Sequence, residues 1–217
     1  MLEFRFSAFF SIFIIQLSIL GKDEKGGGRG EEVKEKEKFR YLDHMTDLIV
    51  EAYGNTLEEL FENSAIGLVN AMFEISKVDL TTSIKIIAEG HDFKSLLYNW
   101  IEKIILAIYI DRMIITKFDS LSFSKIYTAI TNNNKKTETT IKKEKKLLIV
   151  KDLDFVDSKE YSSKYNVIYK LEGIGKGEII NLEKHEYKVE VKSITYHEMQ
   201  IKKNKNGHYT ARYLVDL

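Results

Sequence analysis

The stretch FKSLLYNWIEKIILAIYI, residues 93–110, constrains the chain more than any other. Phe93, Leu96, Leu97, Trp100, Ile101, Ile104, Ile105 and Ile108 recur at intervals of three and four, so they form one unbroken apolar stripe along a helix that Asp92 caps. A stripe this wide must be covered by other elements, which places the helix at the centre of a core. A second helix is expected from TLEELFENSAIGLVNAMF. Thr56 and Glu59 form a capping box, and Leu57, Leu60, Phe61, Leu68 and Met72 follow at helical spacing.

Shorter segments with strand character surround these helices. LIVEAY (48–53) ends at Gly54-Asn55, TSIKIIAEG (82–90) stops at glycine, and FDSLSFSKIYTAI (118–130) and NVIYKLEGIG (166–175) also read as strands. HEYKVEVKSITYHEMQIKK (185–203) alternates with period two and predicts one long strand, NKNG (204–207) a turn, and HYTARYLVDL the return strand of a C-terminal β-hairpin. GIGKGE (173–178) has no helix pattern after it, so it reads as a turn and not as a phosphate loop. The expected fold class is α+β, with two amphipathic helices packed on a mainly antiparallel sheet that includes the hairpin.

Length and composition set the outer limits. With 217 residues and 44% hydrophobic content, the chain suits one domain plus appendages. Lys plus Arg equals Asp plus Glu at 33 each, which removes the globally basic surface of a general nucleic-acid binder. Without cysteine there is no disulfide, thiolate metal site or Cys nucleophile, so a metal would need oxygen or histidine ligands. The apolar run SAFFSIFIIQLSIL (7–20) is shorter than the roughly 18–20 residues of a membrane span, so no stable membrane association of the domain is expected. Its alternatives are a targeting signal leading to an organelle or the secretory route, and a plain apolar extension. The glycine-rich, charged linker 21–38 follows. Residues 1–38 are therefore expected to be an unstructured appendage, with the domain spanning 39–217 and a low-complexity, lysine-rich insertion at about 131–164.

Chemistry gathers at the two ends of that domain. YLDHMTDLIVEAYG places Asp43, His44 and Asp47 within five residues, just ahead of a buried strand. The C-terminal VDL adds the carboxylates of Asp216 and Leu217. Oxygen donors of this kind suit a hard divalent cation, provided that the hairpin returns beside the first strand. Acids and histidines also serve as turn formers at strand ends, so the residue types alone leave both readings open.

Four motifs in order resemble the archease family, small protein activators of the RNA-splicing ligase. They are YLDHMTDLIVEAYGNTLEELFENSAIGLVNAM, KSLLYNWIEKIIL, LEKHEYKVEVKSITYHEMQI and the terminal VDL, together covering most of 39–130 and 165–217. The resemblance implies a non-enzymatic activator of the GTP-dependent ligase of the RtcB type, acting in tRNA splicing in the cytoplasm or nucleus and reaching tRNA through the ligase. It implies a divalent metal ion (Ca, Mg or Mn) at Asp47, Asp216 and Leu217, with Asp43 nearby. It marks Lys192, with His44, His185 and His197, as contacts to ligase or RNA, and for Lys192, His185 and His197 a core or hairpin role stands beside that one. Met45-Thr46 stands where the family has Thr-Ala, which shifts a hydroxyl by one residue. Two other classes remain beside this one: an RNA-binding or chaperone-like module using the lysine-rich insertion, and a metal-dependent hydrolase. The second lacks a Ser-His-Asp, His-x-x-x-His or phosphate-loop pattern.

Overall fold

The computed structural model describes residues 37–43, 47–129 and 165–217. The apolar segment, most of the linker, His44 and the lysine-rich insertion lie outside the described residues. Chain contacts divide residues 1–36 from residues 37–217, and every described residue belongs to the second unit.

That unit runs β1 (Phe39–Asp43), β2 (Asp47–Gly54), α1 (Leu57–Met72), a 3-10 turn (Ile75–Lys77), β3 (Thr82–Gly90), α2 (Phe93–Tyr109), β4 (Met113–Ala129), β5 (Tyr165–Ile179), β6 (Ser193–Lys203) and β7 (Tyr209–Asp216). Among the described residues every strand pairing is antiparallel, and the strands divide into two sheets, ordered β1-β2-β7-β6 and β3-β5-β4. The architecture is α+β, with the C-terminal hairpin inside the first sheet.

Both helices touch both sheets, so the core lies where the four elements meet. Trp100 of α2 is fully buried, and its indole N–H donates to the Phe61 carbonyl of α1 at 3.1 Å. That bond satisfies the one polar atom a buried tryptophan brings with it. Phe61 meets Phe123 edge-on at 5.2 Å, Trp100 lies 5.2 Å from Phe118, and the Tyr213 hydroxyl donates to the Ser64 carbonyl at 2.7 Å.

The two strand–helix units β2–α1 and β3–α2 share one plan. Val50, Ala52 and Gly54 are buried on β2 as Ile86, Ala88 and Gly90 are on β3. Two residues after each glycine comes an N-cap, Thr56 or Asp92, whose side chain accepts the amide of Glu59 or Ser95. Further along each helix an asparagine donates back to the carbonyl just before the glycine: Asn63 to Tyr53 and Asn99 to Glu89, both at 2.7 Å. A Cβ on Gly54 would lie 2.4 Å from the Leu60 amide nitrogen, and one on Gly90 2.3 Å from that of Leu96. The first helical turn therefore packs onto the strand end with no room for a side chain.

Three segments differ from the sequence reading. β4 begins at Met113, not Phe118, because Met113, Ile114 and Ile115 continue the strand under the helices; Arg112, at φ 57°, makes the corner that separates them from α2. Residues 173–178 lie inside β5 and form no turn. Their glycines let the bulged β4 cross closely: a Cβ on Gly177 would fall on the Ile114 carbonyl oxygen. The strand expected over 185–203 joins a sheet only from Ser193. Before that, Glu74 N–H donates to the Glu186 carbonyl and Lys188 N–H to the Met72 carbonyl, so this stretch fastens to the end of α1 and joins no sheet.

Candidate functional site

β2 and β7 pair along their whole length, and the register sorts their side chains by alternation. Leu48–Val215, Val50–Tyr213 and Ala52–Ala211 are buried pairs, all but Ala52 counted in the main core cluster. The opposite, outer face carries Asp47–Asp216, Ile49–Leu214, Glu51–Arg212 and Tyr53–Thr210.

Asp47, the first residue of β2, and Asp216, the last of β7, are thus direct cross-strand partners, with Ser193 of β6 next in the same row. Side chains so opposed have Cβ atoms about 5 Å apart. Asp216 is exposed and Asp47 half-buried. Leu217 packs partly against the core, and Lys192 spans the corner: its main-chain N–H donates to the Asp216 carbonyl at 2.8 Å and its ammonium to the Leu217 oxygen at 2.5 Å. Asp47, Asp216, Leu217 and Lys192 are therefore brought together.

The remaining predicted residues fall elsewhere. Asp43 ends β1 opposite Leu48, in a different row from Asp47. His44 lies outside the described residues. His185 takes the core role that stood beside a contact role for it. Its side chain is fully buried, Nδ1 accepts the Asn181 N–H at 3.0 Å, and Nε2 therefore carries the hydrogen toward Glu178 Oε2 at 3.1 Å. With both nitrogens committed inside the fold, His185 holds a turn and presents nothing to a partner. The Glu178 carboxyl, bonded by the Lys184 ammonium and the Asp79 N–H, is held down at about 2. His197 is exposed, in a β6 irregularity where only Tyr213 opposes the stretch between Thr195 and Gln200. Glu198 there takes φ 55°, and Tyr196 stacks on Tyr98 with ring centroids 4.3 Å apart.

Among the described residues no group of three or more histidine, aspartate or glutamate side chains converges as a metal cluster. Asp47 and Asp216 supply two carboxylates, and the Leu217 oxygen a further donor beside them. An all-oxygen set of this kind fits a hard divalent cation rather than a soft one.

One arrangement on this face is not evident from the sequence. Glu51, paired with Arg40 of β1 and Arg212 of β7, has its side chain only 8% exposed. Burial alone would raise its carboxyl, but bonds from the Tyr53 hydroxyl and the two guanidinium groups more than reverse this, to about 2. Alternation already puts Glu51 on the same face as Asp47. What was missing is its partner 161 positions away, which only the register supplies.

No helix among the described residues is long and apolar enough to cross a membrane. The chain matches the Archease protein family (MTH1598/TM1083) over residues 39–146 and 137–217. It is 32% identical over 180 residues to a protein archease of Sulfolobus acidocaldarius, covering 83% of this chain and 99% of the relative. A protein archease of Thermococcus kodakarensis is 31% identical over 180 residues, with the same coverage. The solution structure of Methanobacterium thermoautotrophicum protein 1598 superposes with a TM-score of 0.53 at 25% identity, covering 83% of this chain and 99% of that one. With two motif-bearing termini joined in one sheet and family similarity across the domain, the chain belongs to the archease family.

Proposed function

We propose that this protein is a non-enzymatic activator in RNA ligation, which promotes guanylylation and repeated turnover of the GTP-dependent RNA-splicing ligase in tRNA splicing. The family assignment supports the general role. The observation that carries the specific reading is the register that sets Asp47 opposite Asp216 beside the Leu217 oxygen and Lys192.

Two carboxylates on neighbouring strands repel unless a cation lies between or near them. Asp47, Asp216 and Leu217 would hold a divalent ion (Ca, Mg or Mn), which when bound supplies positive charge where nucleotide phosphate must be neutralised. Lys192 orients the Leu217 oxygen, and its exposed ammonium adds a second cation at the rim. The ligase is the partner, and tRNA is reached through it.

The test is reconstitution with the cognate ligase, GTP and a broken tRNA. Asp47→Ala is expected to lower guanylylation at least about tenfold at limiting ligase, while circular dichroism shows the fold retained. Calorimetric titration with calcium or manganese should show one site in the native protein and none in the variant. Unchanged guanylylation with Asp47→Ala sinks the reading.

A further inference from the structure

We propose that Arg40, Glu51 and Arg212 form a carboxylate-receiving site on the outer face of the first sheet, which docks an acidic stretch of a protein partner. Glu51 Oε1 accepts Nε and Nη2 of Arg40 at 2.9 and 2.6 Å and the Tyr53 hydroxyl at 2.6 Å. Its Oε2 accepts Nε and Nη2 of Arg212 at 3.0 and 2.6 Å. A carboxylate offers about four lone-pair sites, so Glu51 is saturated.

The arginines are not. Each has bonded Glu51 through its Nε–Nη2 edge, which leaves the Nη1–Nη2 end, the fork that matches a second carboxylate. Their side chains are 49% and 35% exposed, against 8% for Glu51 between them. Two guanidinium charges face one carboxylate, and Lys202 adds another positive charge one row further along the same face. The opposing group is Glu37, exposed ahead of β1, whose field also reaches Arg40. Glu51 pins both forks before any ligand arrives, so little side-chain entropy remains to be lost on binding.

The surroundings favour an acidic protein segment over a nucleic-acid backbone. Four residues along β2 from this row, about 13 Å by strand rise, stand Asp47 and Asp216. Phosphates following the strands would run into those carboxylates. One or two acids on a peptide need only the forks. The inference rests on the ligase reading only for the identity of the protein that carries the acids.

The test needs no ligase, so its failure and that of the ligase reading are separable. Fluorescence anisotropy of labelled poly-L-glutamate is measured against the full chain, with poly-uridylate as a phosphate competitor. The native protein is expected to bind polyglutamate, more weakly as salt rises. Arg40→Gln, on the outermost strand of the sheet, should weaken binding about tenfold. Arg40→Lys, which keeps the charge and loses the fork, should weaken it several-fold. Should Arg40→Gln fail to fold, Arg40→Lys decides alone. Absence of polyglutamate binding, a variant that binds as the native protein does, or preferential displacement by poly-uridylate overturns the proposal.

Discussion

The outer faces of the two sheets follow different electrostatic rules. On the β3-β5-β4 sheet, Lys176 reaches Asp119 at 2.6 Å and Lys170 reaches Glu172 at 3.0 Å, with Lys117 and Lys85 completing the groups at 3.8 Å. These acids are more than a third exposed, and their lysines hold both carboxyls below the usual range. Even where two lysines are directly opposed, Lys117 and Lys176, the Asp119 carboxylate lies within ion-pair distance of both. The β1-β2-β7-β6 sheet buries a carboxylate between two arginines, buries the Ile49–Leu214 pair, and opposes Asp47 to Asp216. A divalent cation there would take the place that Asp119 takes on the other sheet. Solvation and weak ion pairing account for the first face, while the second adds a buried carboxylate between two guanidinium groups.

That contrast can be broken by measurement. Arg212→Ala leaves Glu51 buried with fewer donors and should cost about 3 kcal/mol in urea unfolding at pH 7, while Lys176→Ala should cost less than about 1 kcal/mol. Equal costs would erase the distinction between the faces.

Acid sharpens the same point. The Glu51 carboxyl is depressed to about 2 in the fold from an ordinary 4.5. Its contribution is complete above the unfolded value and is lost as pH falls through the folded one, so about 2 kcal/mol should disappear between pH 7 and pH 3. Glu51→Gln should remove that part of the slope, and an unchanged pH profile of stability would contradict the assignment.

The smallest effect is the most pointed. Asp216→Asn should abolish stabilisation by added calcium or manganese, a shift of about 0.5–1 kcal/mol at an ion concentration a few times the dissociation constant. A variant still stabilised by the ion would move the cation elsewhere.

Local signals were readable wherever they were complete in themselves. The stripe from Phe93 to Ile108 and the caps Thr56 and Asp92 specify the helices, because helical periodicity and capping act within one turn. Residues 173–178 misled for the opposite reason: the glycines answer to β4, Gly177 to the Ile114 backbone and Gly173 and Gly175 to the Leu121 and Ile115 side chains, neighbours that no window around them contains. His185 likewise carries a motif's signature, but Asn181 and Glu178 hold it inside a turn. The alternation of residues 185–192 was real, yet backbone bonds to Met72 and Glu74 claimed the segment.

By itself the sequence determined the two helices, the closing hairpin, and the acids at both ends of the domain, because period, caps and turn residues are encoded over a few positions. Tertiary structure decided that Asp47 meets Asp216, that Lys192 reaches the Leu217 oxygen, and that Arg212 shares Glu51 with Arg40. Those meetings depend on strand register between distant segments. A slip of one residue turns every side chain to the other face, and only packing of the whole β2–β7 pair against the helices fixes it.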